Sequence, residues 1–196
     1  MVGRHGFRQK LLKAKLTQQG HSVDVIDKKS NRNINNEYSF ITDVKYSNVV
    51  FLAAEANLRA VRRNPVEAIK TMTSGLMNSL RFYNESHFTY ISSSMVYGNW
   101  SSSSGVSESD SRAPLDLFDA PVMSSRVYNI SYGRSQPLEN VAKYICDKVG
   151  SGSVKIELND FEYPQRGTMD ISKAKQELGY QPTHDVYKGV DQLIQG

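Results

Sequence analysis

Apolar positions recur along this chain with two different periods, and the changes of period divide it into elements. Lys10 to Gln19 consists of good helix formers with Leu12 and Leu16 four apart, and Gly20 stands where such a helix stops. Ser22 to Asp27 alternates, with Val23, Val25 and Ile26 as its apolar members, which predicts a short strand. Asn31 to Glu37 is polar and loop-like, and Tyr38 to Ile41 predicts a second strand. Val49 to Ala54 is a continuous apolar run, the pattern of a parallel strand covered on both faces. Asn64-Pro65 supplies an N-cap and a first-turn proline, after which Ile69, Met72, Leu76, Leu80 and Tyr83 recur at helical spacing. An apolar strand then begins at Phe88 and discharges into Ser92-Ser93-Ser94 and Met95-Val96-Tyr97-Gly98. Strand, helix, strand is the order of a doubly wound sheet.

The second half is patterned differently. Asn99 to Ala113 is rich in serine and too poor in apolar residues to pack, so it reads as a loop. Beyond it the pattern predicts a strand at Arg126 to Ile130, a helix from Pro137 to Val149, a strand at Val154 to Leu158, and helices around Ile171 to Leu178 and Val186 to Ile194. No internal repeat is present. The organisation expected is a Rossmann-like part over 1–98, a serine-rich linker over 99–126 and a smaller α/β part over 127–196, the whole able to form one compact domain.

Composition narrows the function classes. A chain of 196 residues with 39% hydrophobic content buries one moderate core or two small lobes. The mean hydropathy of −0.49 and the lack of a long apolar stretch argue against a membrane span, and the basic start, Arg4, His5 and Arg8, lacks the apolar core of a signal peptide. A cytoplasmic location is the expectation. The single cysteine, Cys146, has no internal disulfide partner, and no Cys or His pair falls at metal-ligand spacing, so no metal is expected. The net charge of +4 is spread along the sequence, a distribution that suits an anionic small molecule rather than nucleic acid.

Several landmarks then fall in a familiar order. Gly3-Arg4-His5-Gly6-Phe7-Arg8-Gln9 looks like a G-x-x-G-x-x-G loop with Gln9 at its third glycine position, and Gly20-His21, Val23 and Asp27 follow at matching distances. Together with the serine-bearing strand end at Ser92 to Gly98, they resemble the extended short-chain dehydrogenase/reductase family, the NAD-dependent nucleotide-sugar epimerases and dehydratases. The resemblance implies an incomplete Rossmann-like parallel sheet flanked by helices, with a small C-terminal α/β lobe. It makes Gly3, Gly6 and Phe7 the pyrophosphate loop, where the helix amino end meets the charge. It makes Asp27 the ribose-binding acid, Asp43-Val44 the turn at the adenine, and Leu52-Ala53-Ala54 the strand end beside the pyrophosphate. An acid at the ribose repels a 2′-phosphate, so NAD is expected over NADP. Two departures weaken the expected cofactor site: only Met1 and Val2 precede Gly3 where the family has its first strand, and Gln9 replaces a packing glycine.

The catalytic assignments follow from the same resemblance. Ser93 holds the place of the hydroxyl that hydrogen-bonds the reacting sugar hydroxyl, with Ser94 beside it at the substrate. The family's base is a Y-x-x-x-K pair on the next helix, yet the 28 residues from Asn99 to Arg126 contain neither tyrosine nor lysine. Elsewhere Tyr144 and Lys148 alone keep that spacing, and Tyr132 heads a similar run with Gln136 in place of the lysine. Gln136 cannot supply a cationic charge to the tyrosine.

The segment Tyr163-Pro164-Gln165-Arg166-Gly167-Thr168-Met169-Asp170-Ile171-Ser172-Lys173-Ala174-Lys175, with Gly179-Tyr180-Gln181-Pro182 after it, looks like the family's closing signature, which makes Arg166 the candidate for the nucleotide diphosphate. The chain thus reads as a shortened member with a nucleoside-diphosphate sugar as substrate, oxidised by hydride transfer to NAD if active. A homodimer joined through the Pro65 to Tyr83 helix is the partner expected. The alternative is a catalytically inactive nucleotide-binding or partner-subunit remnant of the family.

Overall fold

The computed structural model describes residues 1–2, 7–53, 61, 63–100, 105–110, 126–157 and 166–195, and the chain divides into two compact units, Met1–Ser93 and Ser94–Gly196. The division falls inside the serine run.

In the first unit, α1 (Phe7–Gln18) follows Val2, β1 spans Asn48–Phe51, α2 spans Pro65–Phe82 and β2 spans His87–Tyr90. β1 and β2 are parallel, with Val49 opposite Phe88 and Phe51 opposite Tyr90. Val2 extends this sheet by a single residue. It bridges Phe51 on one side and Ile26 on the other, both in the parallel sense. Its N–H donates to the Val50 carbonyl at 3.0 Å, its carbonyl accepts from Leu52 at 2.7 Å, and Ile26 N–H donates to the Met1 carbonyl at 2.8 Å. Across the sheet the order is therefore Ile26, Val2, Phe51, Tyr90.

The core lies around this row. Val2, Ile26, Ile34, Phe40, Val49, Phe51, Ala53 and Tyr83 are buried together. Phe51 lies between the rings of Phe88 and Tyr90 at centroid distances of 6.2 and 5.7 Å. Burying one such ring contributes about 2 kcal/mol. The predicted strand at Tyr38 to Ile41 is instead a 3-10 helix over Glu37–Phe40. Asn36 caps it by accepting from Tyr38 N–H at 3.1 Å, and Phe40 alone of the four turns inward, against Phe82 and Tyr83. A strand with one buried residue has no face to pair. α2 forms as its signals predict: the Asn64 side chain accepts from Glu67 N–H, and Pro65 occupies the first turn. Gly75 on its inner face lets Ile34 come close, since a Cβ there would lie 2.7 Å from Ile34 Cδ1.

The second unit carries α3 (Leu138–Val149), α4 (Ser172–Leu178) and α5 (Val186–Gln195). The strands predicted at Arg126 to Ile130 and Val154 to Leu158 do not form among the described residues; Ile156 is exposed, and Leu158 lies outside the described residues. A single parallel bridge, Val106 to Met169, replaces them as the sheet-like element of this unit.

Candidate functional site

Each unit holds one part of the predicted site. In the first, the chain leaves Val2 in one direction to reach Ile26 and returns on the other side as β1. Val2 is therefore the topological switch point of the sheet, where strand order reverses. The residues that follow each strand end line that edge: Asp27 after Ile26, Leu52 and Ala53 after Phe51, and Ser92 and Ser93 after the Tyr90 strand. Gly3, Gly6 and Ala54 lie outside the described residues. Phe7 begins α1.

Asp27 is buried at 2% exposure, and one carboxylate oxygen accepts from Lys29 N–H at 2.7 Å and Ser30 N–H at 2.9 Å. This capping box anchors the turn that follows and fixes the carboxylate at the strand end. Ala53 is buried and Ser93 half-buried. Asp43 and Val44 are exposed on the turn ahead of Tyr46, where Val44 N–H donates to Thr42 Oγ1 at 3.1 Å. Tyr46 itself belongs to the opposite, amino-terminal edge, where its phenol donates to Asp24. That bond holds the Asp24 carboxyl below its ordinary pKa, while burial, and then the same hydrogen bond, push the Tyr46 phenol up.

One buried side chain of the first unit was legible only as a departure from pattern. Gln9, in the first turn of α1, is 3% exposed, and neither its amide oxygen nor its amide nitrogen has a hydrogen-bond partner among the described residues.

In the second unit, the serine run continues into a 3-10 helix, Ser94–Tyr97. Ser94 Oγ accepts from the exposed Arg166 guanidinium at 3.4 Å, so the two residues expected at the substrate meet. The closing signature is threaded through this site by backbone bonds: Val106 N–H donates to Thr168 O and Asp170 N–H to Val106 O, at 3.0 and 2.8 Å. Trp100 Nε1 donates to Thr168 O at 3.1 Å. Beneath, the Tyr97 phenol donates to Asn129 Oδ1 at 2.8 Å, and Asn129 Nδ2 donates to the carbonyls of Val106 and Asp170 at 2.9 and 3.0 Å. Asn129 is the knot of this unit, and nothing in its sequence context marks it. The Asp170 carboxyl is held below its ordinary value by hydrogen bonds from Ser172.

The alternative bases sit elsewhere in the unit. Tyr144 donates its phenolic proton to both oxygens of Asp191, at 2.9 and 3.0 Å, and Lys148 pairs with the same carboxylate at 3.0 Å. Tyr187 packs edge-on against Tyr144 at 4.8 Å. Tyr132 is exposed in a loop rather than on a helix, so it shares no helix face with Gln136, which accepts from Tyr187 at 3.4 Å. No group of three or more metal-ligating side chains occurs among the described residues, and no helix among them is long and apolar enough to cross a membrane.

The architecture has solved counterparts. A crystal structure of UDP-glucose 4-epimerase with UDP-glucose, from the hyperthermophilic eubacterium Thermotoga maritima, matches with a TM-score of 0.85 at 15% identity, covering 99% of this chain and 97% of that one. The chain has the Rossmann-like α/β fold. RMD from Pseudomonas aeruginosa, complexed with NADPH, matches this Rossmann-like chain with a TM-score of 0.80 at 13% identity, covering 99% and 97% respectively. No protein-family model and no curated protein matches it.

Proposed function

We propose that this Rossmann-like protein is of the nucleotide-sugar epimerase/dehydratase type, holding NAD at the carboxyl edge of its first unit and a nucleoside-diphosphate sugar at Ser94 and Arg166 of its second. The observation that carries the reading is the switch point at Val2, with Asp27 on one side and Ala53 on the other. The residues fit a dinucleotide. Asp27 is a fixed acid at a strand end, suited to ribose hydroxyls, and the buried Gln9 amide in the first turn of α1 is a polar group without a partner among the described residues. NAD held there would supply a hydride acceptor for the sugar carbon, returning the hydride to complete the reaction. The chain's own part is to orient: Ser93 hydrogen-bonds the sugar hydroxyl, and the Arg166 guanidinium holds diphosphate oxygens.

A second reading, binding without turnover, is favoured by the tyrosines. Tyr144 is committed to Asp191 and Tyr132 has no lysine partner. Conversion of a panel of nucleotide sugars to isomerised or dehydrated products, followed by chromatography, separates the two. Turnover that falls about a hundredfold in Ser93→Ala supports the oxidising reading. Dinucleotide binding with no sugar product formed supports the binder, and turnover indifferent to Ser93→Ala removes Ser93 from the site.

A further inference from the structure

We infer that Ser135, positioned by Thr168, is a second anion-binding arm beside Arg166: its hydroxyl takes one phosphate of a diphosphate while the guanidinium takes the other, an inference that rests on the reading above. Thr168 Oγ1 accepts from Ser135 N–H at 3.3 Å and lies 3.0 Å from Ser135 Oγ. The N–H occupies a lone pair of the threonine oxygen, so the threonine proton is the one that closes the bond between the two hydroxyls. The serine proton then has no acceptor among the described residues. Ser135 is exposed, and that proton is open to a ligand.

The pair stands on fixed backbone. Thr168 O accepts from both Val106 N–H at 3.0 Å and Trp100 Nε1 at 3.1 Å, and Asp170 N–H returns a bond to Val106 O at 2.8 Å. Ser135 follows Gly133, whose φ of +79° sets the turn that carries the serine to Thr168. Hydroxyls held in this way need little ordering when an anion arrives. The local charge favours an anion as well. Arg166 lies two residues before Thr168, a reach of at most about 7 Å along the chain, and Arg134 directly precedes Ser135. Both arginines are exposed, and neither forms an ion pair among the described residues. A single phosphate needs one such arm. Two arms this close suit two linked phosphates, one met by the guanidinium fork and the next by the serine hydroxyl, so the ligand class is a nucleoside diphosphate rather than a monophosphate.

The test is titration calorimetry with ADP, GDP, UDP and dTDP, followed by the monophosphate of whichever binds tightest. Ser135→Ala should lower diphosphate affinity about tenfold and leave monophosphate affinity unchanged, a split that a merely structural side chain would not produce. Thr168→Val keeps the shape and removes the hydroxyl that aims the serine, so it should lower diphosphate affinity by less, and Thr168→Ser should restore it. Diphosphate affinity unchanged in Ser135→Ala, or an equal loss for the diphosphate and the monophosphate, overturns the second arm. In either case binding that is still lost in Arg166→Ala leaves the reading of Arg166 standing. Wild type that binds none of the four diphosphates overturns that reading, and this inference with it.

Discussion

Asn129 satisfies three partners at once, the Tyr97 phenol and the carbonyls of Val106 and Asp170, in a setting where only 3% of it meets solvent. Asn129→Ala should therefore lower the stability of the protein by about 2 kcal/mol or more in urea denaturation, since it removes the donor to the Asp170 carbonyl, one of two donors to the Val106 carbonyl and the acceptor of the Tyr97 phenol, while Tyr97→Phe should cost about 1 kcal/mol. Gly133 is constrained on two counts, a φ of +79° and Ile171 Cδ1 at 2.8 Å from the place of a Cβ. Gly133→Ala should cost about 1–3 kcal/mol by the same measurement. Legibility at this scale was uneven for a physical reason. Ser94 and Arg166 announced themselves by local pattern, and they meet. Asn129 and Asp191 work through partners distant in sequence, and a one-dimensional pattern carries no trace of such pairing.

Helices were legible because their period, caps and stops are local, and α2 with Asn64 and Pro65 is the clearest case. Short strands were not. Tyr38 to Ile41 alternates like a strand, yet the Asn36 cap and the inward turn of Phe40 against Phe82 and Tyr83 make it a 3-10 turn. Arg126 to Ile130 has strand-like composition, but its Asn129 side chain, rather than a ladder, takes up the neighbouring carbonyls. The contact between α3 and α5 rests on Tyr144, Lys148 and Asp191, and its pH response follows from their shifts. Hydrogen bonds from Lys148 and Tyr144 hold the Asp191 carboxyl below its ordinary 3.8, and the bond to Asp191 holds Lys148 above its ordinary 10.5. The Asp191 contribution is thus present above pH 3.8 and lost as pH falls through the lowered value. The Lys148 contribution is present below pH 10.5 and lost as pH rises through the raised value. Thermal melting of Asp191→Asn across pH should show both limbs flattened relative to wild type, with the difference greatest between them.

For the whole molecule, the sheet order Ile26, Val2, Phe51, Tyr90 is what turns a set of short strands into a Rossmann-like sheet. The strand, helix, strand rhythm made that fold class readable. The role of Val2 was not readable, because a single bridging residue has no periodicity and gains its meaning from Ile26 and Phe51 on either side. Val2→Pro removes the N–H that donates to Val50 O in a buried row, and it should cost about 2 kcal/mol or more and abolish NAD binding. Titration calorimetry of the intact chain with NAD, NADP and the Asp27→Asn variant tests the central claim most directly. Asparagine keeps the oxygen that caps Lys29 and Ser30 and loses only the charge. The account predicts saturable one-site binding of NAD, weaker binding of NADP, and a narrowed preference for NAD in Asp27→Asn. No heat and no thermal stabilisation at millimolar NAD, or a cofactor preference untouched by Asp27→Asn, would contradict it.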